Sequence, residues 1–189
     1  MIKAFRDRGD RVRQGDVIAN VQHIEKVTRT VEFVEISTVT FPLVVVLSQD
    51  CDLEQDYRTR QFHNIGSSSD HDKILVSALV APLYNFDHVK QGDHLSDLGR
   101  RSQKLNSERG RYVKSNQSPR YHYLEFPQNV PVVDSVVDFK HYFSVSLDYL
   151  AETKVDHFIC KIAEIYREDL SLRFANFLCR IGLPDPALQ

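Results

Sequence analysis

The feature that most constrains the fold is a run of seven apolar residues at positions 41–47, three of them consecutive valines. A continuous run of this length, rich in β-branched side chains, is typical of a strand that is buried on both faces at the centre of a sheet. Pro42 is expected at the first position of this strand, where a missing backbone N–H is tolerated. The run is far shorter than the roughly 20 apolar residues that cross a bilayer, so we predict no membrane association.

Segments on both sides of the run predict further strands and a helix. Apolar and polar residues alternate over residues 15–24, 30–38, 73–83, 120–124 and 131–139, and Pro82 is expected to mark the end of the third strand. Residues 162–181 carry apolar side chains at helical spacing and predict a C-terminal amphipathic helix. Gly182 and Pro184 are expected to terminate that helix.

Together these elements predict a single α+β domain over residues 1–189. Its core is a small twisted antiparallel β-barrel or sheet, built from residues 14–85 and 119–140. Residues 87–118 form a helical or loop insertion into this core, and the helix over residues 162–181 packs against it. A chain of 189 residues is long enough to bury a substantial core in one domain.

Composition limits the class of protein and its surroundings. Hydrophobic residues make up 42% of the chain and charged residues 26%, as in globular rather than disordered proteins. The 24 basic and 26 acidic residues nearly balance, so any binding of nucleic acid needs a local basic patch. Three widely spaced cysteines predict reduced thiols, and the first residues lack the apolar core of a secretory signal. We therefore predict a cytoplasmic protein.

The residues that leave the apolar run, 50–56 (DCDLEQD), form the densest polar cluster of the chain. If this segment stays extended, its four acidic side chains share one side and attract a hard cation or nearby arginines. If it instead forms a helix beginning near Leu53, Asp50 or Asp52 caps the helix, and Arg58 and Arg60 pair with the remaining acids. Both alternatives fix the cluster at the end of a buried strand, where functional sites are often built.

The candidate catalytic residues lie in and after this cluster. Cys51 is a candidate nucleophile, but the flanking aspartates disfavour its thiolate unless His63 or an arginine lies beside it. The eight histidines lack the spacing of a zinc helix, and the acidic segment lacks the glycine of a calcium loop, so we predict neither a metal site nor a cofactor. The candidates are Asp50, Cys51, Asp52, Arg58, Arg60 and His63.

Basic residues concentrate in the predicted insertion and at the strand that follows it. Within residues 120–123, alternation places Arg120 with His122 on one face and Tyr121 with Tyr123 on the other. Interleaved basic and aromatic residues suit single-stranded nucleic acid, while a half-buried strand with both tyrosines in the core explains the same pattern. The insertion is equally compatible with a solvated helix surface. The candidate nucleic-acid-binding residues are Arg100, Arg101, Lys104, Arg120 and His122.

Three motifs, Gly15-Asp16-Val17-Ile18, the run at residues 41–48 and the strand at residues 74–82, resemble the strand succession of the MazF/PemK toxin family. The resemblance covers about residues 14–85. It implies a small twisted β-barrel and sequence-selective cleavage of messenger RNA. In that family an Arg-Pro pair opens the buried strand and the arginine serves cleavage, but here Phe41 precedes Pro42. The threonine expected after the later strand has no clear equivalent either, so the resemblance implies the fold without its catalytic residues.

We therefore predict a MazF/PemK-like barrel that acts as a non-catalytic binding or accessory module in a toxin-antitoxin or defence setting. Its partner is a protein or single-stranded RNA, and a homodimer is compatible with this interpretation. One alternative is a sequence-selective endoribonuclease with relocated residues, in which Arg29, Arg58 or Arg60 supplies the cation at the scissile phosphate. Another alternative is a metal-dependent hydrolase or nuclease centred on Asp50 and Asp52.

Overall fold

The structure, a computed structural model, describes residues 1–62 and 71–180, and within these residues it contains eight strands and five α-helices. The α+β class predicted from the sequence is confirmed. The strands are β1 (Ala4–Phe5), β2 (Asp16–Arg29), β3 (Val34–Val46), β4 (Ser77–Asn85), β5 (Tyr121–Leu124), β6 (Ser135–Asp138), β7 (Phe143–Ser146) and β8 (Phe158–Ile162). The helices are α1 (Asp50–Phe62), α2 (Phe86–Gln91), α3 (Ser107–Lys114), α4 (Leu147–His157) and α5 (Glu164–Leu178).

All eight strands belong to one antiparallel sheet. Its order is β1-β8-β2-β3-β4-β6-β5, and β7 pairs with β4 beside β6. The two end strands of this order, β1 and β5, do not pair with each other, so the sheet is open. Of the two predicted architectures, the antiparallel sheet is therefore right and the closed barrel is wrong.

The apolar run lies at the centre of this sheet and is buried on both faces, as predicted. Val45 belongs to the core cluster that also contains Phe174 of α5, on one side of the sheet. Val44 and Val46 belong to the cluster that contains Leu150 of α4, on the other side. The three valines have no exposed surface. Two helical layers thus cover the strand that the sequence marks as central.

The predicted positions of the two prolines were wrong. Pro42 lies inside β3, which begins eight residues earlier, and it lies between the paired residues Phe41 and Leu43. Pro42 therefore has no paired residue in β2. The residue opposite it, Asn20, is also unpaired and has a φ of +57°. Pro82 lies inside β4, at the point where that strand exchanges its neighbour β7 for β6, so no ladder bond to either is lost.

Strands β2 and β3 continue beyond the body of the sheet as a two-stranded arm, residues 22–40. Among the described strands, β8 pairs with β2 only as far as Ile18, and β4 pairs with β3 only from Val44 onward. The strand predicted over residues 30–38 begins later, at Val34. Thr30 and Phe33 instead close the turn of the arm by hydrogen bonds. Both outer edges of the arm are therefore open in the part of the chain that the structure describes.

Residues 86–118 form the predicted helical insertion, which contains α2 and α3. The predicted C-terminal helix is confirmed as α5, with Leu170, Phe174 and Phe177 buried, whereas Ile162 belongs to the unpredicted strand β8. Ile181, Gly182 and Pro184 lie outside the described residues. None of the helices in the described parts is both long and apolar enough to span a bilayer.

Candidate nucleic-acid interface

Asp50 at the end of the apolar run is an internal anchor of the fold. Its two carboxylate oxygens accept hydrogen bonds of 3.0 Å each from the Arg11 guanidinium, and the backbone N–H of Gln14 donates at 3.2 Å. Arg167 of α5 lies 3.4 Å away. Burial disfavours ionisation of Asp50, but the Arg11 and Gln14 bonds outweigh it and hold the pKa of Asp50 below its usual value. Asp50 therefore ties the N-terminal segment and α5 to the strand end.

Two other acidic residues of the segment, Glu54 and Asp56, pair within α1, as the helical alternative predicted. The cap that it placed at Asp50 or Asp52 is wrong, because α1 begins at Asp50 rather than near Leu53. Arg60 binds Asp56 four residues earlier at 2.9 Å, and Arg58 binds Glu54 at the same spacing. Asp56 also accepts the backbone N–H of Leu75 at 2.7 Å. The extended alternative, with four carboxylates on one side, is wrong because the segment is helical from Asp50 onward.

The structure does not bring the candidate catalytic residues together around a cleft. Cys51 and Asp52 are exposed in the first turn of α1, where the thiol donates to the carboxylate at 3.5 Å. Arg58 pairs with Glu54 within α1, and Arg60 binds Asp56 of α1, Asp148 of α4 and the carbonyl of Leu75. His63 lies outside the described residues. Over residues 1–62 and 71–180, no cluster of three or more histidine, cysteine or carboxylate side chains could hold a metal ion.

The predicted cationic face of Arg120 and His122 does not form. His122 is only 2% exposed, and burial lowers its pKa to about 3, so it is a neutral core residue. Arg120 precedes β5 and donates to the buried Asp138 from Nε at 2.8 Å, while its guanidinium lies 4.9 Å from the ring centre of Tyr121. Tyr123 is buried, as the alternative of a half-buried strand predicted.

Exposed basic residues nevertheless concentrate in one stretch of the insertion. Residues 99–120, here called the basic segment, contain seven basic residues and one acidic residue, Glu108. Six of the seven are exposed, and none of these six forms an ion pair with a described residue. They are Arg100, Arg101, Lys104, Arg109, Arg111 and Lys114.

Backbone contacts hold the basic segment against α2. The N–H of Ser102 donates to the carbonyl of Gly92 at 2.9 Å, and the N–H of Leu105 donates to Lys90 at 3.0 Å. Gly92 has a φ of +82°, and a Cβ there would lie 2.3 Å from the Ser102 carbonyl oxygen, so only glycine permits this approach. Asn106 then caps α3 by accepting the N–H of Arg109 at 2.8 Å.

A shallow groove of about 360 Å³ runs between the basic segment and β5. Arg109 and Arg120 line it together with Tyr112 and Tyr121. Tyr112 is 51% exposed, so its ring face is available from solvent. Arginines that bind phosphates and tyrosines on which bases stack are the usual components of a groove for single-stranded nucleic acid.

A deeper cleft opens where β3 and β4 separate. The two strands pair only through residues 44–46 of β3, and beyond these residues they diverge. The space between them, here called the wedge, has a volume of about 270 Å³ and is walled by Phe41, Pro42 and Tyr84, with His94 from the insertion. A neighbouring pocket of about 230 Å³ shares Phe41 and Tyr84 with the wedge and adds Arg100.

Two histidines meet Tyr84 beside the wedge. The Tyr84 hydroxyl lies 3.0 Å from Nδ1 of His141, and the His94 ring packs edge-on against Tyr84 at 4.9 Å between ring centres. Burial lowers the pKa of both histidines, with Asp138 opposing the shift, and burial raises the pKa of Tyr84. All three side chains are thus neutral near pH 7 and can exchange hydrogen bonds with a ligand.

Sequence reasoning missed the wedge, because its walls come from residues 41 and 42, 84, 94 and 141, which no local pattern connects. The only signal was the unusual number of histidines, eight, and two prolines within apolar strands.

Comparison of the chain with protein-family models, with curated proteins and with solved structures finds no match. The resemblance to the MazF/PemK family therefore stays a prediction. The function is inferred instead from the geometry of the basic segment, the groove and the wedge.

Proposed function

We propose that this protein is a non-catalytic binding module for single-stranded RNA, held on the basic segment and the groove beside it. The observation that carries the proposal is the separation of charge. The basic segment has a formal charge of +6, from seven basic residues and one acidic residue, whereas the whole chain has −2, so the remaining residues carry −8. A polyanion is therefore attracted to the basic segment.

The exposed cations of the segment have no acidic partners among the described residues, which favours a ligand that brings its own negative charge. Tyr112 and Tyr121 provide stacking surfaces along the same groove. Stacking is tolerant of sequence because every base has a π-face, so we expect weak sequence preference. A role in toxin-antitoxin or defence systems stays a prediction from the resemblance.

The two enzymatic alternatives, a metal-dependent hydrolase and an endoribonuclease, receive less support from the geometry. A metal-dependent hydrolase centred on Asp50 and Asp52 would need Asp50 free to ligate, but Arg11 and Gln14 occupy both of its oxygens. An endoribonuclease that uses Arg58 or Arg60 would need a cation at a cleft, but both arginines pair within α1.

Fluorescence anisotropy with a labelled single-stranded RNA of mixed sequence tests the proposal. Arg101→Glu/Lys104→Glu reverses two charges of the basic segment, and Lys3→Glu/Arg6→Glu makes the same change of net charge at two exposed residues near the N-terminus. We expect the first variant to bind at least tenfold more weakly and the second to bind within about twofold of the wild type. The wild-type affinity should fall steeply with salt, with a slope near −0.7 per phosphate contact.

Equal losses in both variants would mean that only net charge matters, and no loss in the first would place binding elsewhere. The same samples, incubated with and without magnesium or manganese and resolved on a gel, should contain intact RNA. Reproducible cleavage that Arg58→Ala or Arg60→Ala abolishes would favour the endoribonuclease instead.

A further inference from the structure

The wedge is a cavity at the point where β3 and β4 stop pairing. Phe41, Pro42 and Tyr84 line it together with a minority of polar side chains, among them His94 and Asp97. A mostly apolar and aromatic lining with a few polar groups is typical of sites for small ligands.

His94 provides a polar group that the protein itself does not satisfy. Both of its ring nitrogens are buried, and neither has a hydrogen-bond partner among the described residues. A neutral imidazole always carries one N–H and one acceptor nitrogen, so the ring can donate and accept at once. The Asp97 carboxylate lines the same cavity and adds a further acceptor. A ligand that reaches the His94 ring would give its nitrogens the partners that the described residues do not supply.

A second pocket adjoins the wedge. It contains Arg100, with Glu25 and the neutral His141 also in its lining, and it shares the side chains of Phe41, Tyr84 and Leu98 with the wedge. Arg100 is exposed, has no ion pair among the described residues and is the first cation of the basic segment. A group in the wedge and a phosphate at Arg100 would therefore lie next to each other.

We infer that the wedge binds one unstacked nucleobase of the bound strand, with the neighbouring phosphate at Arg100. This inference rests on the proposed function, since it names where that strand is read. The base lies between Phe41 and Tyr84, and its edge pairs with His94. A nucleobase has the required shape, because it is planar, apolar on its faces and lined with donors and acceptors at its edge.

Isothermal titration of the full chain with single nucleotides tests the inference. The four nucleoside 5′-monophosphates are compared with ribose 5-phosphate, which carries the same phosphate and sugar without a base. We expect at least one nucleotide to bind tenfold or more tightly than ribose 5-phosphate. Equal affinities for all five compounds would overturn the inference.

Two variants at one position identify the base-pairing group. His94→Leu removes both nitrogens and should abolish the advantage of the nucleotide, whereas His94→Gln keeps a donor and an acceptor and should retain a measurable part of it. If His94→Leu fails to fold, Leu98→Trp, which fills the cavity from the insertion, should abolish the same advantage. Retention of the advantage in a folded His94→Leu or Leu98→Trp protein would contradict the inference.

The inference and the proposed function fail in different ways. Arg101→Glu/Lys104→Glu should weaken binding of the RNA strand and leave the preference for nucleotide over ribose 5-phosphate intact. Strand binding without any such preference would overturn the wedge site alone. Nucleotide preference without strand binding would overturn the proposed function and leave the wedge as a mononucleotide site.

Discussion

Several carboxylates lie against a cation that is distant in sequence. Asp16 of β2 accepts a hydrogen bond of 2.7 Å from Lys154 of α4, and both side chains are at most 5% exposed. The buried Asp138 accepts hydrogen bonds from Arg120, and the part-buried Asp50 accepts two from Arg11. Removal of one partner would leave an uncompensated buried charge, which is the costly case. These pairs therefore fix the positions of elements that are distant in sequence.

The first prediction concerns the strand exit and separates a structural from a functional role. Asp50→Asn removes the charge that Arg11 requires and should lower the free energy of unfolding by about 1–3 kcal/mol in urea titrations. Asp52→Asn, at an exposed position two residues later, should leave it unchanged. RNA affinity should be unchanged in both. Loss of RNA binding in a folded Asp50→Asn protein would show that the RNA-binding surface includes this strand end.

At the scale of elements, a β-bulge gives the arm one apolar face. The pairing of β2 with β3 shifts between Ile24 and Lys26, so that Glu25 has no partner. As a result Ile24 and Val27, three residues apart, lie on the same face as Ile36 and Val34 of the opposite strand. All four are between 55% and 56% exposed. An isolated two-stranded ribbon is marginally stable in water, so this face requires a partner.

We propose that a second copy of the chain covers the apolar face. Arg29 pairs with Val34 and so lies on this face, and Glu32 lies in the turn of the same arm. Two-fold symmetry can place Arg29 of one arm beside Glu32 of the other. Light scattering after size-exclusion chromatography should give a dimer for the wild type and a monomer for Ile36→Glu.

The matched control for this prediction is Ser37→Glu, which adds the same charge at the next position of β3, on the opposite face of the arm. It should remain dimeric. A monomeric wild type at every concentration, or identical behaviour of the two variants, would contradict a dimer through this face.

The same elements show what the sequence could and could not predict. The helix α5 and the centre of β3 were predictable, because Leu170, Phe174 and the three valines follow local periods that burial enforces. The apolar face of the arm was not predictable, because the unpaired Glu25 reverses the alternation of side chains between the two faces in the residues that follow it. The wedge was not predictable either, because it forms where two strands stop pairing at Val44 and Pro82, which are 38 residues apart in sequence.

At the scale of the whole molecule, the insertion is fixed at both ends by one strand. β4 precedes it and β5 follows it, and both pair with β6. The side of the insertion that faces the sheet buries Val89 and Val113 against Val136 of β6. The basic segment is therefore carried by the sheet rather than by a free loop, and its cations keep a defined position relative to the wedge.

The insertion and the sheet also enclose three histidines, and these make the stability of the whole molecule depend on pH. Burial lowers the folded-state pKa of His94, His122 and His141 below the usual value of 6.5. Below pH 6.5 the unfolded chain binds protons that the folded protein does not, so acid favours unfolding. Full stability is present above pH 6.5 and is lost as the pH falls toward the folded-state pKa values.

The strongest case is His122, whose folded-state pKa is about 3. Its share of the free energy of unfolding should fall by roughly 2 kcal/mol between pH 7.5 and pH 5. His122→Leu replaces the titrating group with an apolar side chain. Between pH 7.5 and pH 5 the free energy of unfolding of this variant should therefore fall by roughly 2 kcal/mol less than that of the wild type. His71→Leu, at an exposed position, is the control and should keep the wild-type dependence. Urea unfolding at the two pH values measures all three proteins, and a wild-type dependence in His122→Leu would show that His122 binds protons equally in the folded and the unfolded protein.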